Sequence, residues 1–506
     1  RDLHVRSRRQ RQMCIRDSVY SEAVLAPDLE VYKEYFSESL HEINIAHCIM
    51  LSEQGLLNAS ETKSILQGLT SINSEKPYMD VEFDGTFEDL FFLVERELGY
   101  RIGSEIAGKL HTGRSRNDME HTMFRLQLRD RLTNLLKQYV SLLQQLIDRA
   151  ERGVDEIVLL YTHGQPAQPS TLAHYLSAAI EFILNDIDRI KFAHNLVNMS
   201  PMGAAAITTS GFSLNRNRVA HLLGFPKIVE NSYGAIANVD YITGSYSAIK
   251  LGCLHLGRFV QDLVTWTGFE VSQIKVPDGF VQISSIMPQK RNPVPLEHLR
   301  LKFSLAGGGA DQIVNTMHNT PFADMNDSER ETQATGFAVF DRLNKALPLL
   351  AGFVDSIEID TASVSKRINQ SMATITELAD HLARTEGISF RLAHSVAHKL
   401  AYQALSLESS LDQLDFNVFV ESFEEVVGVK PITNEKNFRK VCSPEHFISV
   451  RKIPGGPARA TIKKSLKVYV KRLAETELRI KSMENFLHST NAECQRLVDV
   501  YIKQGN

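Results

Sequence analysis

Apolar residues recur every three or four positions along several long stretches of this 506-residue chain. The same spacing runs through Leu172–Ile190 and Ile249–Trp266, and less regularly through Phe337–Val354. Its clearest example lies between positions 128 and 147 and consists of Leu128, Leu132, Leu135, Leu136, Tyr139, Leu142, Leu143, Leu146 and Ile147. This period is that of one face of an α-helix. Long helices with one apolar stripe build antiparallel bundles, and strand signals are sparse, so the sequence predicts an all-α fold with a long central helical bundle.

Shorter helical segments are expected on both sides of the bundle. From Val19 to about Tyr100 the pattern predicts short helices, one opened by Asn58-Ala-Ser-Glu and another running from Phe87 to Leu98. Towards the other end, the break Ile453–Pro457 precedes a charged helical stretch from Lys464 to Tyr501. We therefore predict an N-terminal helical domain over residues 18–124, the central bundle domain over 125–370 and a C-terminal helical domain over 371–506.

Residues 1–17 differ from the rest of the chain. They contain six arginines against Asp2 and Asp17, and they show little apolar periodicity. Asp17 and the missing hydrophobic face argue against a transit peptide. The segment is expected to be a non-native extension and is left out of the fold prediction.

Composition excludes several functional classes. A formal net charge of −4 offers no basic surface for nucleic acid. Five scattered cysteines, without a C-x-x-C pair, favour a reducing compartment over a disulfide framework or a zinc site. No apolar run reaches the ~18 residues of a membrane helix. Gly307–Gly309 lies in a helical pattern, which indicates close packing or a kink rather than a phosphate loop. We expect a soluble, cytoplasmic protein with no metal, cofactor, membrane or nucleic-acid partner.

The stretch from Gln282 to Glu297 is a loop rich in reactive groups. Its three prolines prevent a regular helix up to a long helix predicted to begin near Leu296. The loop carries adjacent serines, of which Ser284 is the first, and then Lys290 and Asn292. Such groups can remove a proton and hold an anion, and loops on rigid scaffolds are common sites of such chemistry. The alternative is an ordinary polar connection between helices.

Two further polar stretches each precede a long helix. His111–Asp118 places two arginines among polar residues, and both arginines and helix N-termini favour a carboxylate ligand. A helix cap that uses Asn117 or Asp118 is the alternative. Thr162–Pro169 is interpreted as a loop that presents His163, although a single histidine is more often structural. Carboxylate binders with a base and without a cofactor indicate proton abstraction beside a carboxylate.

These stretches carry a resemblance to a known family. Ser-Ser-Ile-Met-Pro-Gln-Lys-Arg-Asn-Pro, from Ser284 to Pro293, resembles the signature loop of the fumarase/aspartase superfamily. His111–Asp118 is similar, at all eight positions, to a motif typical of argininosuccinate lyases. The resemblance covers roughly residues 30–470. It implies a homotetramer whose long helices form a shared bundle, active sites assembled from three subunits, and reversible release of fumarate from an N-substituted aspartate.

The resemblance also implies a role for each site residue. Ser284 is the expected base, and Lys290 would stabilise the dianionic aci-carboxylate that forms when a Cβ proton leaves. His163 resembles a histidine that pairs with a glutamate, and Glu297 stands at the matching position. The residues expected to hold the substrate, chiefly by its carboxylates, are Ser115, Arg116, Asn117, Thr162, Gln165 and Asn292.

Several positions depart from the family pattern. Ile283 replaces a glycine before the serine pair, and the positions of a substrate-contacting tyrosine, glutamine and lysine hold Asp324, Glu329 and Thr332. Two further family motifs read here as Glu88-Asp89-Leu90-Phe91 and Ala237-Asn238-Val239-Asp240-Tyr241. The fumarate side is thus retained, while much of the arginine side is altered.

The departures leave three functions open. The main prediction is an argininosuccinate lyase-like carbon–nitrogen lyase that yields arginine and fumarate. A lyase for another N-substituted aspartate, such as ethylenediamine-disuccinate, is the first alternative. An inactive structural relative of the crystallin type is the second. Parts of the sequence also resemble adenylosuccinate lyase, but His111–Asp118 argues against that member.

Overall fold

The computed structural model describes residues 18–503. The predicted extension, residues 1–17, lies outside the described residues. Two short helical turns, Ser18–Tyr20 and the π-helical Ser21–Leu25, lead into the first long helix.

The elements are numbered here in chain order. The helices are α1 (Ala26–Glu53), α2 (Ala59–Glu75), α3 (Leu90–Ile102), α4 (Ser104–Lys109), α5 (Arg116–Arg152), α6 (Leu172–Val197), α7 (Arg216–Leu222), α8 (Ser232–Ala237), α9 (Asp240–Thr267), α10 (Val294–Thr316), α11 (Arg330–Asp355), α12 (Thr361–Ser371), α13 (Ile375–Thr385), α14 (Phe390–Ser406), α15 (Phe416–Val427), α16 (Glu435–Val441), α17 (Pro444–Ser449) and α18 (Arg459–Lys503). The strands are β1 (Ile157–Thr162), β2 (Gln165–Thr171), β3 (Ile274–Lys275), β4 (Gln282–Ile283), β5 (Arg291–Asn292) and β6 (Glu358–Ile359). Single 3-10 turns occupy Asp278–Phe280 and Asn326–Ser328.

Five long helices, α5, α6, α9, α10 and α11, form the predicted bundle around one apolar core. The 37 residues of α5 span about 55 Å. We call the end where α5 begins the upper end, and the end where α5 stops the lower end. At the upper end Arg125 of α5 donates to the carbonyl of Leu196 in α6, and at the lower end Arg149 donates to the carbonyl of Ile357 after α11. Helices α5, α9 and α11 run from the upper to the lower end, and α6 and α10 return. The all-α bundle prediction is confirmed.

The apolar stripes face the bundle core. All nine stripe residues between 128 and 147 are buried, and burying a leucine side chain contributes about 1.5–3 kcal/mol. Gly309 lies where α10 and α11 meet, and a Cβ there would stand 2.9 Å from Cγ2 of Val339. Gly309 is therefore a close-packing position, which is one of the two roles predicted for the glycine run.

The N-terminal region is built from longer helices than predicted. Helix α1 has 28 residues and a predominantly buried second half, so the expectation of only short helices was wrong. The start of α2 was predicted correctly, because Asn58 accepts from the N–H of Glu61 while the Glu61 carboxylate accepts from the N–H of Asn58.

An antiparallel hairpin, β1–β2, stands at the lower end of the bundle. Residue pairs run from Ile157 with Thr171 to Thr162 with Gln165. The interpretation of Thr162–Pro169 as a loop was therefore wrong. The two prolines in β2 concealed its strand character, since proline is tolerated in a strand only at an edge or a bulge, and β2 is an edge strand of this two-stranded sheet.

Helices α13–α16 have an apolar core of their own, which includes Leu378, Leu400, Phe419 and Phe438. By contrast, α18 packs along the bundle and contributes buried residues to the bundle's core. The predicted domain limits stay predictions. Within residues 18–503, none of the helices combines the length and the apolar character needed to cross a bilayer.

Candidate active site

Two residues of the motif His111–Asp118, at the upper end of the bundle, make structural contacts with the N-terminal helices. Arg114 is buried and donates to Oδ1 of Asn44 at 2.7 Å. The His111 ring packs against Phe91, one of the departures from the family pattern, with 5.2 Å between ring centroids. These contacts connect the segment before α5 to α1 and α3.

Asp118 links the start of α5 to a neighbouring loop. Its side chain is fully buried and accepts from the backbone N–H groups of Ser115, Gly203 and Ala205. Burial raises the pKa of this carboxyl to about 6, although the three N–H donors oppose the shift. Ser115 and Asp118 together cap α5, so the cap predicted as the alternative is present, but it accounts for only part of the motif.

Arg116 is already paired in the free chain. One guanidinium nitrogen contacts Asp89 at 2.8 Å and Glu88 at 3.1 Å. Burial alone would lower the pKa of Arg116, but these carboxylates hold it above its ordinary value. Two partners of opposite charge mean that Arg116 adds little net positive charge to the surface at this point.

Asn117 belongs to a hydrogen-bonded chain that sequence analysis missed. Its Nδ2 lies 2.5 Å from Oδ2 of Asp324, and Oδ1 of Asp324 lies 3.2 Å from Nε2 of His121. Nδ1 of His121 in turn lies 3.1 Å from the hydroxyl of Tyr241. The signal was the i, i+4 spacing of Asn117 and His121, which places both on one face of α5.

A cavity of about 240 Å³ opens beside these residues and is lined by Arg116, Asn117, Asp324 and Glu329 among others. Its lining contains seven carboxyl groups and two guanidinium groups. The departures Asp324 and Glu329 thus lie at the predicted substrate-binding motif, in surroundings that favour a cationic ligand group.

The predicted residues of the hairpin lie at its exposed tip. His163 and Gly164 form a two-residue turn with φ values of +54° and +73°, and Thr162 pairs with Gln165 across it. Positive φ at both central residues is the signature of a type I′ turn, in which asparagine followed by glycine is favoured. Histidine, like asparagine and aspartate, is enriched at positive φ, so the turn accommodates His163 and leaves its imidazole exposed at the tip.

The pairing of the short strands β4 and β5 closes the Ser284 loop at the lower end of the bundle. Gln282 pairs with Asn292 in β4–β5, and Nδ2 of Asn292 also donates to the carbonyl of Gln282 at 3.0 Å. Inside the loop, Oγ of Ser284 accepts from the N–H groups of Met287 (3.1 Å) and Ile286 (3.4 Å). Two backbone donors on one hydroxyl oxygen favour its anionic form.

The remaining predicted residues of the lower end are exposed. Lys290 lies in the Ser284 loop, and Glu297 lies in the first turn of α10. Within residues 18–503 of the single chain, no hydrogen bond joins Glu297 to His163, so their predicted pairing stays a prediction.

The predicted site residues fall into two groups at opposite ends of the bundle. Ser115, Arg116 and Asn117 lie at the upper end, whereas the hairpin tip and the Ser284 loop lie at the lower end. The length of α5 separates the groups by about 50 Å. One chain therefore does not bring together all the residues that sequence analysis assigned to one site.

Comparisons with known proteins decide the family. A family model described as lyase matches residues 28–308, and one described as argininosuccinate lyase C-terminal matches residues 372–449. Argininosuccinate lyase 2 of Agrobacterium fabrum is 46% identical over 94% of this chain and 95% of its own length. The chain belongs to the argininosuccinate lyase family. A more distant member, from Methanocaldococcus jannaschii, is 31% identical over 86% of this chain and 88% of its own length.

Solved structures share the fold. A variant of EDDS lyase with bound fumarate superposes with a TM-score of 0.84 at 26% identity, covering 94% of this chain and 96% of the other. A class II fumarase from Schistosoma mansoni has a TM-score of 0.65 at 17% identity, covering 82% of this chain and 90% of its own, which supports the fold alone. The family resemblance drawn from the motifs is confirmed.

Proposed function

We propose that this protein is an argininosuccinate lyase, a carbon–nitrogen lyase that reversibly releases fumarate from argininosuccinate and leaves arginine. The observation that carries the proposal is the Ser284 loop, in which a hydroxyl with two backbone donors stands in the superfamily's signature segment. The 46% identity to the Agrobacterium enzyme supports the choice of reaction within the superfamily. Arginine biosynthesis in the cytoplasm would be the physiological setting.

In this proposal Ser284 removes the Cβ proton beside a substrate carboxylate. The electron pair passes into that carboxylate to form an aci-carboxylate, and its return expels the nitrogen as the carbon–nitrogen bond breaks. Lys290 supplies positive charge to the intermediate, and the remaining N–H of Asn292 supplies a hydrogen bond. The backbone donors on Ser284 lower the proton affinity of its oxygen, as a serine base requires.

His163 and Glu297 form the second catalytic pair of the proposal. Ser115, Arg116 and Asn117 hold substrate carboxylates together with Thr162 and Gln165. Because the groups lie about 50 Å apart in one chain, a complete site needs the upper end of one copy and the lower end of another. The proposed assembly is a homotetramer with sites shared among three subunits.

Exposed leucines on two neighbouring bundle helices support self-association. Leu251 and Leu254 of α9 are 40% and 55% exposed, and Leu301 and Leu305 of α10 are 53% and 50% exposed. The ion pair between Lys250 and Asp311 aligns the two helices side by side. Four exposed leucines on two neighbouring helices favour this surface as an interface between copies.

The assay is the ultraviolet absorbance of fumarate released from argininosuccinate by the purified protein. Ser284→Ala should lower turnover by at least about 10²-fold, the usual loss when a general base is removed. Ser285→Ala is the matched control, because this neighbouring hydroxyl receives no hydrogen bond within the described chain and should leave turnover nearly unchanged. Equal effects of the two substitutions would refute Ser284 as the base. A wild-type protein that releases no fumarate from any N-substituted aspartate would point to the crystallin-type alternative.

A second candidate function follows from the acidic cavity beside Asn117. A lyase for a different N-substituted aspartate, derived from a diamine or polyamine, would place a cationic leaving group there, next to Asp324 and Glu329. The structural similarity to EDDS lyase is compatible with this candidate. Comparing kcat/KM for argininosuccinate with a panel of N-substituted aspartates decides between the two functions.

A further inference from the structure

The hydrogen-bonded chain behind Asn117 runs from a buried tyrosine to a half-buried amide. Tyr241 and His121 are fully buried, whereas Asp324 has a 26% exposed side chain at the edge of the cavity. The guanidinium of Arg125 lies over the Tyr241 ring, 4.0 Å from the ring centroid. The chain therefore connects the bundle interior with the site surface.

The direction of each hydrogen bond follows from the chemistry of the groups. Burial raises the pKa of Tyr241 above its ordinary value, so its hydroxyl stays protonated and can donate. Burial lowers the pKa of His121, so the ring is neutral and has one N–H. A carboxylate only accepts, so Nε2–H of His121 donates to Asp324 and Nδ1 accepts from Tyr241.

The same argument orients the amide of Asn117. The Asp324 carboxylate requires the NH₂ group of Asn117 on its side, and Oδ1 of Asn117 then accepts from the hydroxyl of Ser115 at 3.0 Å. One amide N–H is used by Asp324, and the second remains for a ligand. Asn117 is thus held at both ends of its amide, while its second N–H has no partner within residues 18–503.

We propose that Tyr241, His121 and Asp324 act as a positioning relay that fixes the amide of Asn117 so that its free N–H meets a substrate carboxylate. This inference rests on the proposed function, since it takes Asn117 to be a substrate contact. Tyr241 and His121 are fully buried and do not touch the reacting atoms, so they affect how tightly the carboxylate is held rather than the bond-breaking step.

A neighbouring tyrosine shows that burial alone does not create such a contact. Tyr246 lies on α9 with Tyr241 and is equally buried, yet its hydroxyl has no hydrogen-bond partner in the described chain. The two residues therefore provide a matched pair, in which only the hydroxyl of Tyr241 is connected to the site.

The test uses the full-length protein and steady-state kinetics of fumarate release. Tyr241→Phe should raise KM about three- to tenfold with kcat within about twofold, since a lost hydrogen bond of ordinary strength corresponds to such a change. Tyr246→Phe should leave KM unchanged. His121→Leu should raise KM at least as much as Tyr241→Phe, and His121→Gln should raise it less, because a glutamine retains an N–H that can reach Asp324.

A readout independent of turnover separates this inference from the proposed function. The fumarate concentration needed to raise Tm should increase in Tyr241→Phe and His121→Leu by the same factor as KM. Unchanged KM and unchanged fumarate response in both variants, with an active wild type, would overturn the relay alone. Equal losses in His121→Gln and His121→Leu, or a loss in Tyr246→Phe, would also overturn it by showing a packing effect. A wild type that does not cleave argininosuccinate would refute the proposed function, and the fumarate response would still test the relay.

Discussion

The substitution His163→Asn should distinguish a catalytic role of the His163 side chain from a role in folding the hairpin. The substitution removes the imidazole at a position where the backbone has a φ of +54°. Asparagine followed by glycine is the favoured sequence for this turn. The variant should therefore keep the hairpin, and with it the placement of Thr162 and Gln165.

The expected effects of His163→Asn on the stability of the fold and on catalysis have opposite signs. Asparagine adopts the left-handed region more readily than histidine does, so His163→Asn should stabilise the folded protein by up to about 1 kcal/mol. Loss of a catalytic histidine should lower kcat/KM by at least about 10²-fold, equivalent to about 2.7 kcal/mol at the transition state. A lower rate cannot then be explained by poorer folding.

The assay pairs thermal unfolding with fumarate release, and Gly164→Ala is the matched control. A Cβ on Gly164 would meet no atom within 4 Å, so only the φ of +73° is penalised. Gly164→Ala should lower Tm while retaining most activity, which is the reverse of His163→Asn. Near-normal turnover in His163→Asn would refute a catalytic role for this histidine, and a marked fall in its Tm would refute the turn argument.

An equal mixture of the inactive Asn117→Leu and Ser284→Ala proteins should regain activity at about a quarter of its sites if each site combines the upper end of one subunit with the lower end of another. Mass spectrometry would confirm that the subunits have exchanged. No recovery after exchange would place the site within one chain. The raised pKa of Asp118, about 6, lies above its ordinary value, so its contribution to stability is present below about pH 4 and lost as the pH rises through 6. The Tm advantage of wild type over Asp118→Asn should therefore shrink between pH 4 and pH 7, and a constant difference over that range would contradict this. Asp324→Tyr with Glu329→Gln should shift kcat/KM towards argininosuccinate and away from diamine-derived aspartates, and an unchanged preference would show that these positions do not face the amine.

Features that depend on local sequence were largely predictable. The apolar stripes predicted the bundle helices, because a helix of that length has to bury one face. Asn58 and Glu61 predicted the start of a helix, because a capping box needs only two side chains three residues apart. The hairpin was missed because its prolines weaken the strand pattern. The length of α1 was missed because its polar residues conceal how much of its second half is buried by other helices.

Features of the site that depend on tertiary contacts were not predictable from spacing. Asn117 and Asp324 lie 207 positions apart in the chain, and only the docking of the segment before α11 onto α5 brings them together. The separation of Ser284 from Asn117 also required the structure, because the motifs alone do not reveal at which end of the bundle each loop emerges. His121 was overlooked because it lies inside a long helix, where sequence analysis expected packing residues.

The packing of α18 against the bundle has a consequence for biosynthesis. This helix of 45 residues extends for about 68 Å, and its Glu493 shares Arg218 with Glu53 at the end of α1. A nascent chain that has been translated only as far as Asp355 contains every helix of the bundle but leaves exposed the apolar surface that α18 will cover. At typical elongation rates this exposure lasts on the order of ten seconds, during which the surface is open to aggregation and to chaperones. Truncating α18 should accordingly reduce soluble yield in cells far more than it alters the chemistry of the site.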